Sequence, residues 1–273
     1  ANNRIGTSTI GLAALPNTGH GVVLYDGPSN NVFDGNRIAG NGGWGVDIQH
    51  SGVLAFVDGT RFRNNTIGLD ANGARMANLG GGIRINNAPG TVIGEIGNRN
   101  IVSGNGDATH FGVGIEVLGN AVPMPVIQHN YIGTNPTGLL ARSNVNKGIS
   151  LKGPALVGGD QADQGNLISG HDDTIAGAGG AAGIIVFATG GGSIIHGNTI
   201  GLDANGNALP NTYSGITVFA TTGVTIGGTT AGARNVISGN GSFGISFPAG
   251  GSSGSIIQGN YIGTAADGTT PRG

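Results

Sequence analysis

Apolar residues along the chain recur in two interleaved patterns. One is a strand-like alternation: GVVL from Gly21, GVDI from Gly45, GIRI from Gly82, GIEV from Gly114, GISL from Gly148, GIIV from Gly183, GITV from Gly215 and GISF from Gly244. In each, two apolar residues flank one variable position, which predicts a strand with one buried face. The other begins with Asn and places Ile or Val two residues on. It reads NRIGTS, NRIAGN, NTIGLD, NIVSGN, NYIGTN, NLISGH, NTIGLD, NVISGN and NYIGTA, starting at Asn3, Asn36, Asn65, Asn100, Asn130, Asn166, Asn198, Asn235 and Asn260. A third apolar segment, such as VTIGG from Val224 or SIIHGN from Ser193, recurs in many units, with no helical period between them.

Three short strands per unit of about thirty residues predict a coil that stacks on copies of itself, because one coil alone cannot bury its apolar face. The expected fold is all-β: a single-domain right-handed parallel β-helix of about nine coils over residues 1–273, roughly 40 Å long. Handedness here follows the general crossover rule rather than any residue. The nine Asn residues would stand at the same bend in every coil, each bonding to the backbone and to the Asn above and below. Glycine would supply the positive φ of the corners. These asparagines are therefore expected to be scaffold.

RNVISGNGSFGI (234–245) followed by IIQGNYIGTAADGT (256–269) closely resembles the tandem parallel β-helix repeats of very large secreted or surface-anchored bacterial proteins. The resemblance covers essentially the whole chain. It implies an extracellular or cell-surface bacterial setting and, usually, no enzymatic activity; copies of the chain or flanking repeat domains would be the partners. The NTIGLD and NYIGT units alternate with ISGN-type units and carry the longer loops, so one edge of a double-coil unit should bear long loops. Both termini fall inside the repeat, as expected of a segment of a longer solenoid.

Composition narrows the function classes. Hydrophobic residues make up 37% of the chain despite 58 glycines, and the spacing of the glycines is not that of collagen. Charged residues are 10%, the net charge is −2 and aromatics are few, so nothing points to nucleic acid. Without cysteine there is no disulfide, thiolate metal site or thiol chemistry. No apolar run is long enough to span a membrane.

Chemistry is expected on the outward columns. The variable position of the GI-x-I motif runs Val23, Asp47, Arg84, Glu116, Ser150, Ile185, Thr217, Ser246. Asp47, Arg84 and Glu116 on three successive coils are the candidate catalytic residues of a polysaccharide lyase or glycoside hydrolase. Their carboxylates, two rungs and about 9.6 Å apart at the backbone, fall within the broad spacing of inverting glycosidases. The plainer alternative is a surface ion ladder. Arg84 between them should keep both acids ionised, which suits a base but not an acid.

Ile185, Phe187 and Phe219 form a candidate interface with another copy or domain, or are covered by a loop. Trp44 or Tyr25 could serve as the platform of a carbohydrate-binding module. No cofactor is required, and calcium is the ion that the acidic turns could hold. The candidates are Asp70 and Asp203 in two DANG turns, and Asp172 with Asp173 in an inserted loop; the full calcium-loop spacing is not present. Gly19-His20-Gly21 and Asp172-Asp173 resemble pieces of the polygalacturonase signature but should lie about five rungs, near 24 Å, apart. The non-catalytic reading is a structural, adhesive or filament-forming module.

Overall fold

The computed structural model describes residues 1–26, 29–50, 59–172, 181–248 and 250–273. Within them the chain is a right-handed parallel β-solenoid of three sheets, one nine-stranded and two eight-stranded. Each coil contributes one strand to each sheet: Ile101–Val102, Val113–Leu118 and Val126–Ile127 are followed by Tyr131–Ile132, Lys147–Lys152 and Leu156–Gly158. Eight three-strand turns and a ninth strand of the first sheet result, close to the nine coils expected. Every strand pairing is parallel and joins like positions of successive coils, such as Ile101 with Tyr131 and Ile115 with Ile149. The sequence repeat is thus the register.

Inward positions form one continuous core. Ile67, Ile83, Ile85 and Ile93 line one coil, and Val102, Ile115, Val117 and Ile127 line the next, all essentially without exposure. β-Branched residues suit this place because their stiff side chains stack against identical neighbours along the axis. Glycine is demanded where coils approach closely. A Cβ on Gly82, the first residue of its GI-x-I motif, would lie 2.5 Å from the Gly114 carbonyl oxygen and 2.7 Å from Val102 Cγ1.

At one corner the asparagines form an unbroken ladder. From Asn3 through Asn36, Asn65, Asn100, Asn130, Asn166, Asn198 and Asn235 to Asn260, each Nδ2 donates to the next Oδ1 at 2.8–3.0 Å. The second amide proton reaches a strand carbonyl, as from Asn130 to Ile93 O at 2.8 Å. Each buried amide thereby satisfies its donors and acceptor within the stack.

A second ladder occupies another corner. Asn17, Asn41, Asn78, Asn105 and Asn144 are joined by the same Nδ2-to-Oδ1 bonds at 2.8–3.0 Å, and so are Asn211 and Asn240 at 2.9 Å. Between the two runs stands His171. In ISGN-type coils the ladder residue follows the first-sheet strand at once; in the alternate coils a hairpin arm intervenes. The arms close with isolated antiparallel bridges at Thr7–Ala14, Leu69–Arg75, Thr134–Ala141, Leu202–Ala208 and Thr264–Pro271. They are the long-loop edge expected from the double-coil rhythm. Successive arms touch: Ala71 N donates to Gly11 O at 2.9 Å, Arg142 Nε to Gly73 O at 2.6 Å, Ala204 N to Gly138 O at 3.0 Å, and Arg272 Nε to Gly206 O at 3.1 Å.

Candidate functional site

The GI-x-I strands form the sheet that carries the candidate acids. Pairing places Val23 beside Asp47, Asp47 beside Arg84, and Arg84 beside Glu116, so the three sequence-predicted residues do form one column. Their surroundings correct the expectation of an open outward face: Asp47 is 0% exposed and Glu116 7%. Period two sets which way a side chain points, but not what leans over it.

Four side chains roof Asp47. Arg84 Nε donates to Oδ1 at 2.8 Å and Arg84 Nη2 to Oδ2 at 2.5 Å. Gln49 Nε2 also donates to Oδ2, and His20 Nε2 stands 3.4 Å from it. The carboxylate bonds raise the Arg84 pKa, which fixes its charge beside the buried acid. The guanidinium in turn lies 5.3 Å from the centroid of the Trp44 ring, a cation–π contact. Trp44 is only 8% exposed and is therefore part of this roof rather than an open platform, whereas Tyr25 is 61% exposed.

The structure sets His20, of the Gly19-His20-Gly21 segment, against Asp47. Its Nδ1 accepts the Trp44 backbone N–H at 2.8 Å, so the proton of the neutral ring resides on Nε2, towards the carboxylate. Neither nitrogen is spare. The signal for this contact is lateral packing between adjacent coils, which no linear motif records.

Glu116 is held separately, with Lys152 Nζ 2.6 Å from Oε1. Lys152 also lies 5.8 Å from the Phe187 ring centroid, and Phe187 stacks on Phe219 at 6.0 Å. Those two rings are half-buried, but Ile185 is buried at 6% exposure, so the expected apolar patch of Ile185, Phe187 and Phe219 reduces to the phenylalanine pair.

The acidic turns have local work. Asp70 Oδ1 accepts the Asn72 and Ala74 backbone N–H groups, and Asp203 Oδ1 those of Asn205 and Asn207, all at 2.8–2.9 Å. Ser8 and Asn135 do the same in their arms, so the task needs an oxygen and no charge. Asp172 exchanges backbone bonds with the Ser143 hydroxyl, while Asp173 lies outside the described residues. Among the described residues no group of three or more His, Asp or Glu side chains is placed to hold a metal ion. No helix among them is long and apolar enough to cross a membrane.

No protein-family model and no curated protein matches the chain. Among solved structures, the chain is similar to full-length tailspike protein 2 of the Escherichia coli O157:H7 bacteriophage CAB120, at 14% identity and a TM-score of 0.40. The likeness covers 89% of this chain and 33% of the tailspike, so the chain spans about a third of that protein's length.

Proposed function

We propose that the protein is a non-catalytic, extracellular β-solenoid module with a structural or adhesive role. The observation carrying this reading is the burial and pairing of the best candidate acids. Asp47 spends both carboxylate oxygens on Arg84, Gln49 and His20, and Glu116 is paired to Lys152. A hydrolase needs a carboxyl group that reaches the glycosidic oxygen and another that activates water, and a lyase needs a base that reaches a sugar C–H. Asp47 reaches solvent nowhere. A continuous core with two internal amide ladders suits a stiff rod. The cell-surface bacterial setting follows from the repeat resemblance, and copies of the chain, flanking repeat domains or a polysaccharide are the partners it suggests.

The test is a panel of acidic and neutral polysaccharides incubated with the parent protein and with Asp47→Asn and Glu116→Gln. The expected result is no new reducing ends and no unsaturated product in any case. Cleavage by the parent that either variant abolishes would overturn the proposal.

A further inference from the structure

We propose that Arg4 and Arg37, at one end of the nine-stranded sheet, form a binding site for a single anionic group: a carboxylate, sulfate or phosphate. The inference does not depend on the structural role proposed above.

The two arginines are register partners on adjacent strands, about one 4.8 Å rung apart, and Thr66 continues the column. Both pass beneath the first hairpin arm. A Cβ on Gly11, whose φ is +73°, would lie 2.5 Å from Arg4 Nη1 and 3.2 Å from Arg37 Cδ. Like charges at this spacing repel, and elsewhere the protein places a carboxylate among them. Arg61 and Arg63 share Glu95, at 2.6 and 2.9 Å, and Arg84 holds Asp47. Among the described residues no carboxylate forms an ion pair with Arg4 or Arg37. Asp70 is close enough to favour the charge on Arg37, but its Oδ1 caps the turn of its own arm.

The donors are partly spent and partly spare. Arg37 Nη1 donates to the Leu69 and Asp70 carbonyl oxygens, which fixes the plane of the guanidinium. Its Nε is buried and has no partner. Burial, and then the charge of Arg4, lower the Arg37 pKa, the direction expected of a cation held without a counter-ion. A cavity of about 300 Å³ opens here, lined by Asn2, Asn3, Arg4, Gly35, Arg37 and Thr66 among others. That volume lies at the small end of ligand pockets. Planar guanidiniums bind oxyanions through paired N–H bonds, and an anion between them would relieve the repulsion.

The site is tested by calorimetric titration of the protein with sodium sulfate, inorganic phosphate and an oligogalacturonate, each at an ionic strength matched with chloride. The variants are Arg4→Gln and Arg37→Gln, with Arg272→Gln as a control, since Arg272 bonds to the Gly206 and Pro271 carbonyl oxygens of the last two arms. Arg4→Gln is decisive, because Arg37→Gln also removes bonds that hold an arm. Saturable binding that Arg4→Gln weakens roughly tenfold or more, and that Arg272→Gln leaves unchanged, supports the site. Tighter binding of the oligogalacturonate than of sulfate and phosphate identifies a saccharide-borne group, and the reverse order a free inorganic anion. No saturable heat with any probe, or binding indifferent to Arg4→Gln, would overturn the proposal.

Discussion

His171 stands in an asparagine's place in the second ladder. Its backbone N–H still reaches Asn211 Oδ1 at 3.3 Å and its Nδ1 lies 3.4 Å from Asn144 O, but its ring is wholly buried and cannot continue the amide-to-amide bonds. Burial drives its pKa down to about 4 from an ordinary 6.5. The folded state thus requires a neutral ring, while the unfolded chain takes up a proton near pH 6.5. Stability from this residue is complete above that value and is lost as pH falls towards 4, by about 3 kcal/mol in all. His171→Asn should rejoin the ladder and remove this acid dependence, read from urea midpoints between pH 4 and 7.5. Asn130 shows the opposite case: it bonds to Asn100, Asn166 and the Ile93 and Gln128 carbonyl oxygens. Asn130→Ala should cost about 3 kcal/mol, because it strands buried partners on both sides. A loss below about 1 kcal/mol in urea denaturation would show that the ladder follows from the fold rather than holding it.

Among the elements, the eight-stranded sheet bearing Asp47 separates pairing from worth. An ion pair to a buried acid is weak evidence for stability, since Asp47 was taken out of water to make it. Asp47→Leu alone should therefore cost about 1–3 kcal/mol by leaving the part-buried Arg84 without its acceptor, whereas Asp47→Leu with Arg84→Leu should recover most of that. A double-mutant cycle in urea measures the difference. This sheet also marks the limit of what the sequence made legible. The GI-x-I and Asn-x-Ile motifs carry fold and register because each repeats once per coil and each coil pairs with the next. The roof over Asp47 was invisible because His20 reaches it sideways from the preceding coil and Trp44, on Asp47's own strand, reaches Arg84 of the next, through contacts with no period. The second ladder was only half legible, through the slot shared by Asn105, His171 and Asn240. In alternate coils an arm separates its asparagine from the strand before it, and only the spacing to the strand after it is kept: Asn78, Asn144 and Asn211 stand four residues before Gly82, Gly148 and Gly215.

On the scale of the molecule, contacts run almost wholly between adjacent coils, so stability is carried along one axis. The arms stand outside that axis: each leaves after a first-sheet strand, and the first four return to Asn17, Asn78, Asn144 and Asn211 of the second ladder. A segment of about ten Gly and Ser residues inserted between Asn205 and Gly206, at an exposed arm tip, should lower Tm by only a few degrees. The same segment placed between Ile149 and Ser150, in a buried strand, should abolish folding. Circular dichroism melts distinguish the two. Because arms occur on every second coil, any chemical group mounted at their tips recurs at about 9.6 Å. The solenoid is in that sense a ruler, whose graduation is set by the hydrogen-bond spacing of its sheets and whose markings can be rewritten one arm at a time.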